Sequence, residues 1–583
     1  MTTQIEAIAP TTTGPLRLQV ERGDAALELL AYPGFRDAWR SLFRACPWST
    51  AFQDAPFASV WYRCYRSRFA PVVVAGWTDT ALTGLFLLAV SHDGSTLCHV
   101  GSHHAEYQVW LSRDDRFLGA ALDALAAMFP GRVLQLLFVP PGADDTPPAR
   151  WRSRYFRRPI PRPFLATNPA DSVRASLRKK SNKSKISQLK RRGKYTFERV
   201  CDAGAFTALL DEMIPLYELR LGAVHDTLPF RNDEMKKGFY QALQRETDLL
   251  HVTVMRVEDE LIAAHIGLRT EKMVMAGILA QSPRYAKSSV GKLLYFELAL
   301  MLEHEGVEVL DLTPGGEYKD RFATHYRDAS SVTILFSYSA ARRYRLRRRL
   351  IDAAKRKGVS TNSVKRAISL ARHTASHLRP AHLPVKIAKR LKRALWDDVE
   401  LRLYRFPRSA PAAPHGGHSI ARDRFADLAC YSPAERWQPT TAAFLQTAME
   451  RLENGEHCYT YVEDGVLAHY GWLVEHQERT YMEEVRQSWR LPPGSVVLYG
   501  FYTHPRFRGR GLYAAALHRM IRDASAIPDL SHIYIGVRAD NGPSRRVIEK
   551  VGFVYERSFY ERRRFARVRR WPGAPAFPGH APA

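Results

Sequence analysis

Hydrophobic residues along the chain keep two alternating rhythms. Short runs dense in β-branched and aromatic residues, such as "SVVLYGFYTH" at 495–504, have the character of buried strands. Stretches with apolar residues three or four apart, such as "LYAAALHRMIRDAS" at 512–525, have that of helices. The alternation recurs in three blocks, roughly 21–165, 170–340 and 415–572, and predicts an α/β architecture. Its clearest instance is 251–323. There the pattern gives two strands across a "VEDEL" hairpin, a third strand, a helix opened by "YAKSSVGKLL" and a closing strand carrying Asp311. Proline-rich stretches at 140–163 and 407–419 read as boundaries between blocks. A length of 583 residues suits three or four domains at about 150 residues each, and no short-period repeat suggests a solenoid.

The formal net charge of +27 changes this picture through its distribution. Between 341 and 410, Lys and Arg outnumber Asp and Glu by 21 to 4, with apolar residues at helical spacing among them. That segment reads as a basic helical linker of amphipathic helices, and "RASLRKKSNKSKISQLKRRGK" at 174–194 behaves similarly. A solvated connector, contact with an anionic membrane leaflet, and RNA or tRNA are the readings such a segment allows. The six cysteines form no C-x-x-C pair, so neither a zinc site nor a disulfide framework is indicated. No metal is expected either at His103, His104 and Glu106 in "GSHHAEYQ", because adjacent histidines point apart on a strand. With no run of 18 apolar residues and no charged-then-apolar leader, the chain is expected to be cytoplasmic.

The chemistry is concentrated in "THPRFRGRGLYAAALHRMI", 503–521, where a strand turns into a helix through Arg506-x-x-Gly509-x-Gly511. Glycine lets backbone amides approach an anion closely, and a helix start adds about half a positive charge. Arg506, Arg508 and Arg510 bring side-chain charge, so the turn suits a pyrophosphate. About 30 residues on, "IYIGVRADNGPSRRVIEKVGFVYERSFYE" gives a strand, a helix opened by Asn541 and Ser544, and a Glu549-Lys550-x-Gly552-Phe553 close.

Together these two runs resemble the acyl-CoA binding half of the GCN5-related N-acetyltransferases, the GNAT superfamily. The resemblance implies that the amides of Arg508, Gly509, Arg510 and Gly511 cradle the pyrophosphate of acetyl-CoA or another acyl-CoA. It places Phe501 and Thr503 alongside the pantetheine arm, with Asn541 and Ser544 facing the cofactor. It further implies direct acyl transfer to an amine, with a general base, backbone donors for the oxyanion and an acid for the thiolate. Many members carry a tyrosine acid just before E-K-x-G-F; here Ile548 stands there, and Tyr560 is the candidate substitute. Glu483 and Glu484 in "RTYMEEVRQ" are the candidate base.

The stretch 251–323, with Asp311-Leu312-Thr313-x-Gly315-Gly316-Glu317-Tyr318-Lys319, resembles the acetyltransferase-like domain of FemA/FemB/FemX-type proteins and of related polysaccharide-locus acyltransferases. With "GSHHAEYQVWL" and its upstream strands, a tandem GNAT-like pair over about 25–340 is expected. "YAKSSVGKLL" offers one glycine, Gly291, and the lysines Lys287 and Lys292, so a weaker anion nest is expected there. Asp311, Tyr318 and Lys319 are candidate substrate contacts. The expected protein is an acyltransferase acting on an amine or hydroxyl of a small molecule or saccharide, an envelope or exopolysaccharide precursor. The alternatives are an aminoacyl-tRNA-dependent transferase and a CoA-binding scaffold.

Overall fold

The structure is a computed structural model that describes residues 14–143, 147–356, 396–407, 417–565 and 567–573. The chain divides into two compact units. One comprises Met1–Met213, Phe230–Gln281 and Ser288–Ser369, the other Ile214–Pro229, Ser282–Lys287 and Leu370–Ala583.

In the N-terminal unit, β1 (Leu16–Arg22), β2 (Phe69–Thr78), β3 (Ala81–Ser91), β4 (Leu97–His99) and β5 (Leu111–Ser112) form one antiparallel sheet. β2 and β3 are almost continuously apolar because both faces of the sheet are covered. The second sheet contains β6 (Val133–Val139), β7 (Tyr155–Ala166), β8 (Tyr195–Arg199), β9 (Leu250–Val257), β10 (Glu260–Arg269), β11 (Met273–Gln281), β12 (Val309–Asp311) and β13 (His325–Leu335). Its order is β6-β13-β7-β12-β11-β10-β9-β8, and β11 and β12 pair in parallel. Leu134 and Leu136 of β6 and Val332 and Ile334 of β13 share one core with Val72, Phe86 and Leu88 of the first sheet.

In the C-terminal unit, β14 (Trp396–Phe406), β15 (Ala421–Arg422), β16 (His457–Glu463) and β17 (Val466–Val474) precede a separate hairpin of β18 (Arg479–Met482) and β19 (Gln487–Arg490). Then come β20 (Ser495–Thr503), β21 (His532–Arg538), β22 (Val554–Arg564) and β23 (Arg567–Pro572). The order β15-β16-β17-β20-β21-β14-β22-β23 repeats that of the second sheet, with β20 and β21 as the parallel pair. The architecture is thus the mixed α/β fold expected, with one sheet topology repeated in the two units.

Two readings of the pattern are corrected here. The proline-rich stretch at 140–163 is in part a strand, not a boundary: β7 pairs with β13 from Tyr155 to Phe164. The carbonyl of Pro163 accepts from the Leu312 amide, so residues in phase with it direct their backbone polar groups away from β13. Pro159, Pro161 and Pro163 all lie in that phase, and their missing N–H groups remove nothing from the β13 ladder. Likewise the basic helical linker read over 341–410 does not extend through 396–406. Val399, Leu401 and Leu403 keep a strand period and face one core, while Tyr404 and Phe406, on the alternate positions, face the other. Burial on both faces made the apolar spacing look helical. Tyr338–Arg356 is a helix, and the rest of the linker, 357–395, lies outside the described residues.

Leu401 is 2% exposed at the centre of this inserted strand. Leu401→Ala is expected to cost about 2–5 kcal/mol, read as a lower urea midpoint for the transition of the C-terminal unit.

Candidate functional site

β20 and β21 pair only from Ser495 to Leu498 against His532 to Ile535. Beyond that point β20 stays with β17 and β21 stays with β14, so the sheet splits into a V. The amide of His504 donates to the Ala468 carbonyl on β17, which turns the backbone polar groups of Thr503 toward the other side, the V. A bulge with Gly500 at φ +64° shifts the register of β20 against β17. Gly471 opposite it has no side chain because Phe501 fills the space: a Cβ there would lie 2.4 Å from the ring.

The R-x-x-G-x-G turn crosses the open end of the V. Gly509 and Gly511 have φ of +81° and +79°, and Gly511 immediately precedes the helix Leu512–Ser525. No atom lies within 4 Å of where a Cβ would stand on either glycine, so the backbone is open to a ligand. Among the described residues the amides of Gly509, Arg510 and Gly511 have no hydrogen-bond partner. Oriented free amides at a helix start, with room above them, fit a pyrophosphate. The arginines flank the turn without covering it. Arg506 reaches Asp464 at 3.8 Å, Arg508 reaches Glu435 at 2.8 Å and the Thr503 carbonyl at 3.2 Å, and Arg510 reaches Glu463 at 2.7 Å.

Beneath the turn is a group the sequence reading missed. His469 of β17 is fully buried, and its Nδ1 lies 2.8 Å from the Thr503 hydroxyl. Its Nε2 is buried without a partner. Burial lowers the imidazole to about 3, so the ring is neutral at physiological pH. Tyr513, in the first turn of the helix, packs 4.9 Å from Phe501, and its hydroxyl accepts from Ser544 at 3.2 Å. Burial holds that phenol up to about 12. Asn541 caps the helix Gly542–Val551, its Oδ1 accepting from the Ser544 amide. The structure therefore brings Phe501, Thr503, Asn541, Ser544 and the turn to one end of the sheet. A histidine at a strand position carries no sequence signal that sets it apart from core packing.

The catalytic candidates divide. Glu483 and Glu484 occupy the exposed β18–β19 turn. Glu483 helps hold the Tyr499 phenol of β20 protonated, after burial and a bond to Glu456, and Glu484 acts on Arg538 of β21. Tyr560 stands elsewhere: it stacks on Trp571 at 5.3 Å and pairs with Glu400, two strands from β21 and on the order of 10 Å away. Sequence order alone had joined it to the site.

In the N-terminal unit the same topology carries a different helix start. Ser289, at φ +52°, precedes the helix Val290–His304, and Lys185 donates to its hydroxyl at 2.6 Å. Gly291 serves packing, since a Cβ there would lie 2.2 Å from Gln281 Oε1. Asp311 is fully buried and saturated. It accepts from Tyr107 at 2.8 Å, from Arg162 Nη2 at 2.6 Å and from the Thr313 amide at 2.9 Å. Its expected substrate contact is therefore corrected to a structural one. Lys319 donates to the carbonyl and hydroxyl of Thr313, both at 3.1 Å, and Tyr318 is exposed. His103 is exposed, while His104 is packed against Tyr65 and Phe239.

A parallel strand pair that splays beside a capped helix, repeated along one chain, defines a duplicated α/β transferase fold. Residues 172–326 match the family model described as acetyltransferase (GNAT) domain, and residues 423–553 that of the acetyltransferase (GNAT) family. Two GNAT acetyltransferase domains thus lie along the chain, and they support an acyltransferase. No curated protein matches it. Among solved structures it is similar to FemX, at 10% identity over 51% of this chain and 95% of that one, TM-score 0.35. It is also similar to the C-terminal domain of a putative lysylphosphatidylglycerol synthetase from Agrobacterium fabrum, at 12% identity over 52% and 93%, TM-score 0.34. A putative GNAT acetyltransferase from Novosphingobium aromaticivorans shares 18% identity over 28% and 63%, TM-score 0.20.

The buried His469 sets a pH dependence. Its folded value near 3 lies below the ordinary 6.5, so the unfolded chain binds the proton more readily. Stability is therefore complete above about pH 6.5 and falls as pH drops toward 3. His469→Asn is expected to flatten the slope of stability against pH in that window by about 1.4 kcal/mol per unit, measured by urea titrations from pH 7 to 4.

Proposed function

We propose that the C-terminal unit is the donor site of an acyl-CoA-dependent N-acyltransferase, with acetyl-CoA as the donor. The observation that carries this reading is the turn at 509–511: free amides, two left-handed glycines and open space at a helix start; the Arg508 amide, expected among them, instead donates to the Pro505 carbonyl at 3.4 Å. Bound there, acyl-CoA supplies an activated acyl thioester. The chain's own residues do the rest. The amides of 509–511 hold the phosphates, and the backbone of Phe501 and the Thr503 amide, on the edge that faces the V, align the arm. Glu483 or Glu484, in the exposed β18–β19 turn, receives the proton of the attacking amine. Arg508 joins donor and acceptor sides, because Glu435, its partner, also accepts from Tyr502 beside the exposed Trp437.

For the acceptor we propose an amine or hydroxyl on an envelope or exopolysaccharide precursor held at an anionic leaflet. Its support is the resemblance of the N-terminal unit to polysaccharide-locus acyltransferases and the excess of 21 cations over 4 anions at 341–410. Among the described residues no helix is long and apolar enough to cross a membrane, so such contact is peripheral.

Calorimetry of the full chain with acetyl-CoA tests the donor. Gly509→Glu, which sets a carboxylate at a left-handed position among the phosphate-binding amides, is expected to weaken binding more than about tenfold, ~1.4 kcal/mol, with the circular dichroism unchanged. Binding that survives the substitution, or no binding by the parent chain, moves donor recognition to the aminoacyl-tRNA reading.

For the membrane contact, the deletion should span 357–395, since a longer one removes β14. It is expected to abolish flotation with anionic vesicles, and unchanged flotation refutes the contact.

A further inference from the structure

Tyr560, which lies away from the donor turn, belongs to a surface of its own. β22 and β23 form the last hairpin of the C-terminal sheet, and every residue of β23 is exposed. From Tyr560 to Trp571 the sequence YERRRFARVRRW carries six arginines against one glutamate. Residues that pair across two strands share a face, so the register sorts these charges. On one face Glu561 is taken by Arg563 and Arg570, both at 2.8 Å. On the other, Arg562 stands opposite Arg569 and Arg564 opposite Arg567. Like charges directly opposed destabilise a sheet. Asp398 of β14 reaches two of the four, Arg562 at 3.1 Å and Arg564 at 2.5 Å, while Arg567 and Arg569 have no ion pair among the described residues. Behind them on the same face Tyr560 and Trp571 stack, and the Arg562 guanidinium lies 5.6 Å from the Trp571 ring.

The turn is as unusual as the ladder. The register ends at Arg564 and Arg567, and Phe565, in the turn, takes φ +52°. Hairpin turns that need this left-handed region take Asn or Gly there, and a bulky side chain is rare. Phe565 is also 65% exposed. Neither the opposed arginines nor the phenylalanine serves the hairpin's own stability.

We propose that the β22–β23 hairpin is a membrane-contact surface, seating Phe565 at the upper end of the acyl chains and Arg562, Arg564, Arg567 and Arg569 at the phosphates of an anionic bilayer. The proposal rests on the leaflet reading for its partner, but on other residues than the 341–410 segment. The order of groups along the hairpin favours lipid. A strand advances about 3.3 Å per residue, so Arg564 and Arg567 stand about 3 Å behind Phe565 and Arg562 and Arg569 about 10 Å behind it. An interfacial element buries its apolar part about 5–10 Å into the headgroup boundary, a depth that brings both arginine pairs among the phosphates. The planar guanidinium pairs bidentately with phosphate oxygens, and a phosphate between opposed arginines removes their repulsion. A nucleic acid would be met by cations foremost, whereas here the apolar residue leads and the cations follow. One weak anchor gives only marginal membrane binding, so the basic linker and the hairpin are needed together.

The test uses the full chain, vesicles of phosphatidylglycerol with phosphatidylcholine, and phosphatidylcholine alone as the control. Two substitutions separate binding from folding, because each favours the free hairpin: Phe565→Asn supplies a usual turn residue, and Arg569→Glu sets a carboxylate opposite Arg562. Both are expected to hold or raise the urea midpoint of the C-terminal unit. Yet Arg569→Glu is expected to weaken partition to the anionic vesicles by about tenfold or more, and Phe565→Asn by about threefold or more. In hydrogen exchange, amides at 562–570 of the parent chain are expected to slow with anionic vesicles and not with phosphatidylcholine. Unchanged partition in either variant, or exchange that ignores the anionic vesicles, overturns the proposal. An RNA oligonucleotide that slows the same amides as strongly as the vesicles also overturns it. Flotation that needs 357–395 while exchange at the hairpin is unaltered leaves the leaflet reading standing without this surface. Flotation lost in the hairpin variants but kept on deleting 357–395 leaves this surface standing without the linker.

Discussion

The C-terminal site depends on a shortfall of backbone pairing. β20 and β21 run parallel for four residue pairs and then part, each held to its other neighbour. A strand cannot leave its polar groups unpaired in the interior without cost, so the free edge of β20 must face water or a ligand. The V is therefore a requirement the chain has built in. The bulge at Gly500, the ring of Phe501 over Gly471 and the turn at 508–511 are arranged around it.

The same split explains why each sheet borrows a strand from the segment before it. β21 leads through a helix to β22, and the two do not pair; one antiparallel strand lies between them. β14 fills that place in the C-terminal unit, and β7 does so between β12 and β13 in the N-terminal unit. Were the place empty, the half-sheet carrying β21 would expose a ladder on both edges and lose the burial of Leu401 and Leu403. The strand most removed in sequence from its partners is thus among those most needed by the site.

This sets the limit of what was legible. Strand and helix periods at 250–304 and 495–551 are local, and the structure has those elements where the pattern puts them. The two glycines and Asn541 declared themselves through demands that no other contact meets, positive φ and a helix cap. β7 and β14 did not, because a proline pattern and a strand buried on both faces imitate boundary and helix; only pairing across the sheet tells them apart. Tyr560 was joined to the site by order along the chain, but lateral position in a sheet is set by strand order, and β22 lies beyond β14. His469 is an ordinary residue type in ordinary local sequence. Its character comes from burial, which the chain acquires only on folding.

The two helix starts show what the duplication has done with one geometry. "HPRFRGRGL" at 504–512 and "SPRYAKSSV" at 282–290 share a Pro-Arg-aromatic opening, and in both the residue before the helix is left-handed: Gly511 at φ +79°, Ser289 at +52°. Glycine occupies that region without strain, whereas serine gives up on the order of 1 kcal/mol. Ser289 nonetheless places its hydroxyl where Lys185 binds it at 2.6 Å, and Lys292 follows in the first turn, its ammonium destabilised first by burial and then by Lys185 and Lys179. Positive charge at the C-terminal turn is delivered by backbone amides with nothing above them. At the N-terminal turn it is delivered by side chains, with Lys185 on the Ser289 hydroxyl and Lys292 in the first turn of the helix. The first arrangement suits a phosphate held close. The second suits a charge met at the length of a lysine, so one topology presents positive charge in two different ways at the same point of the fold.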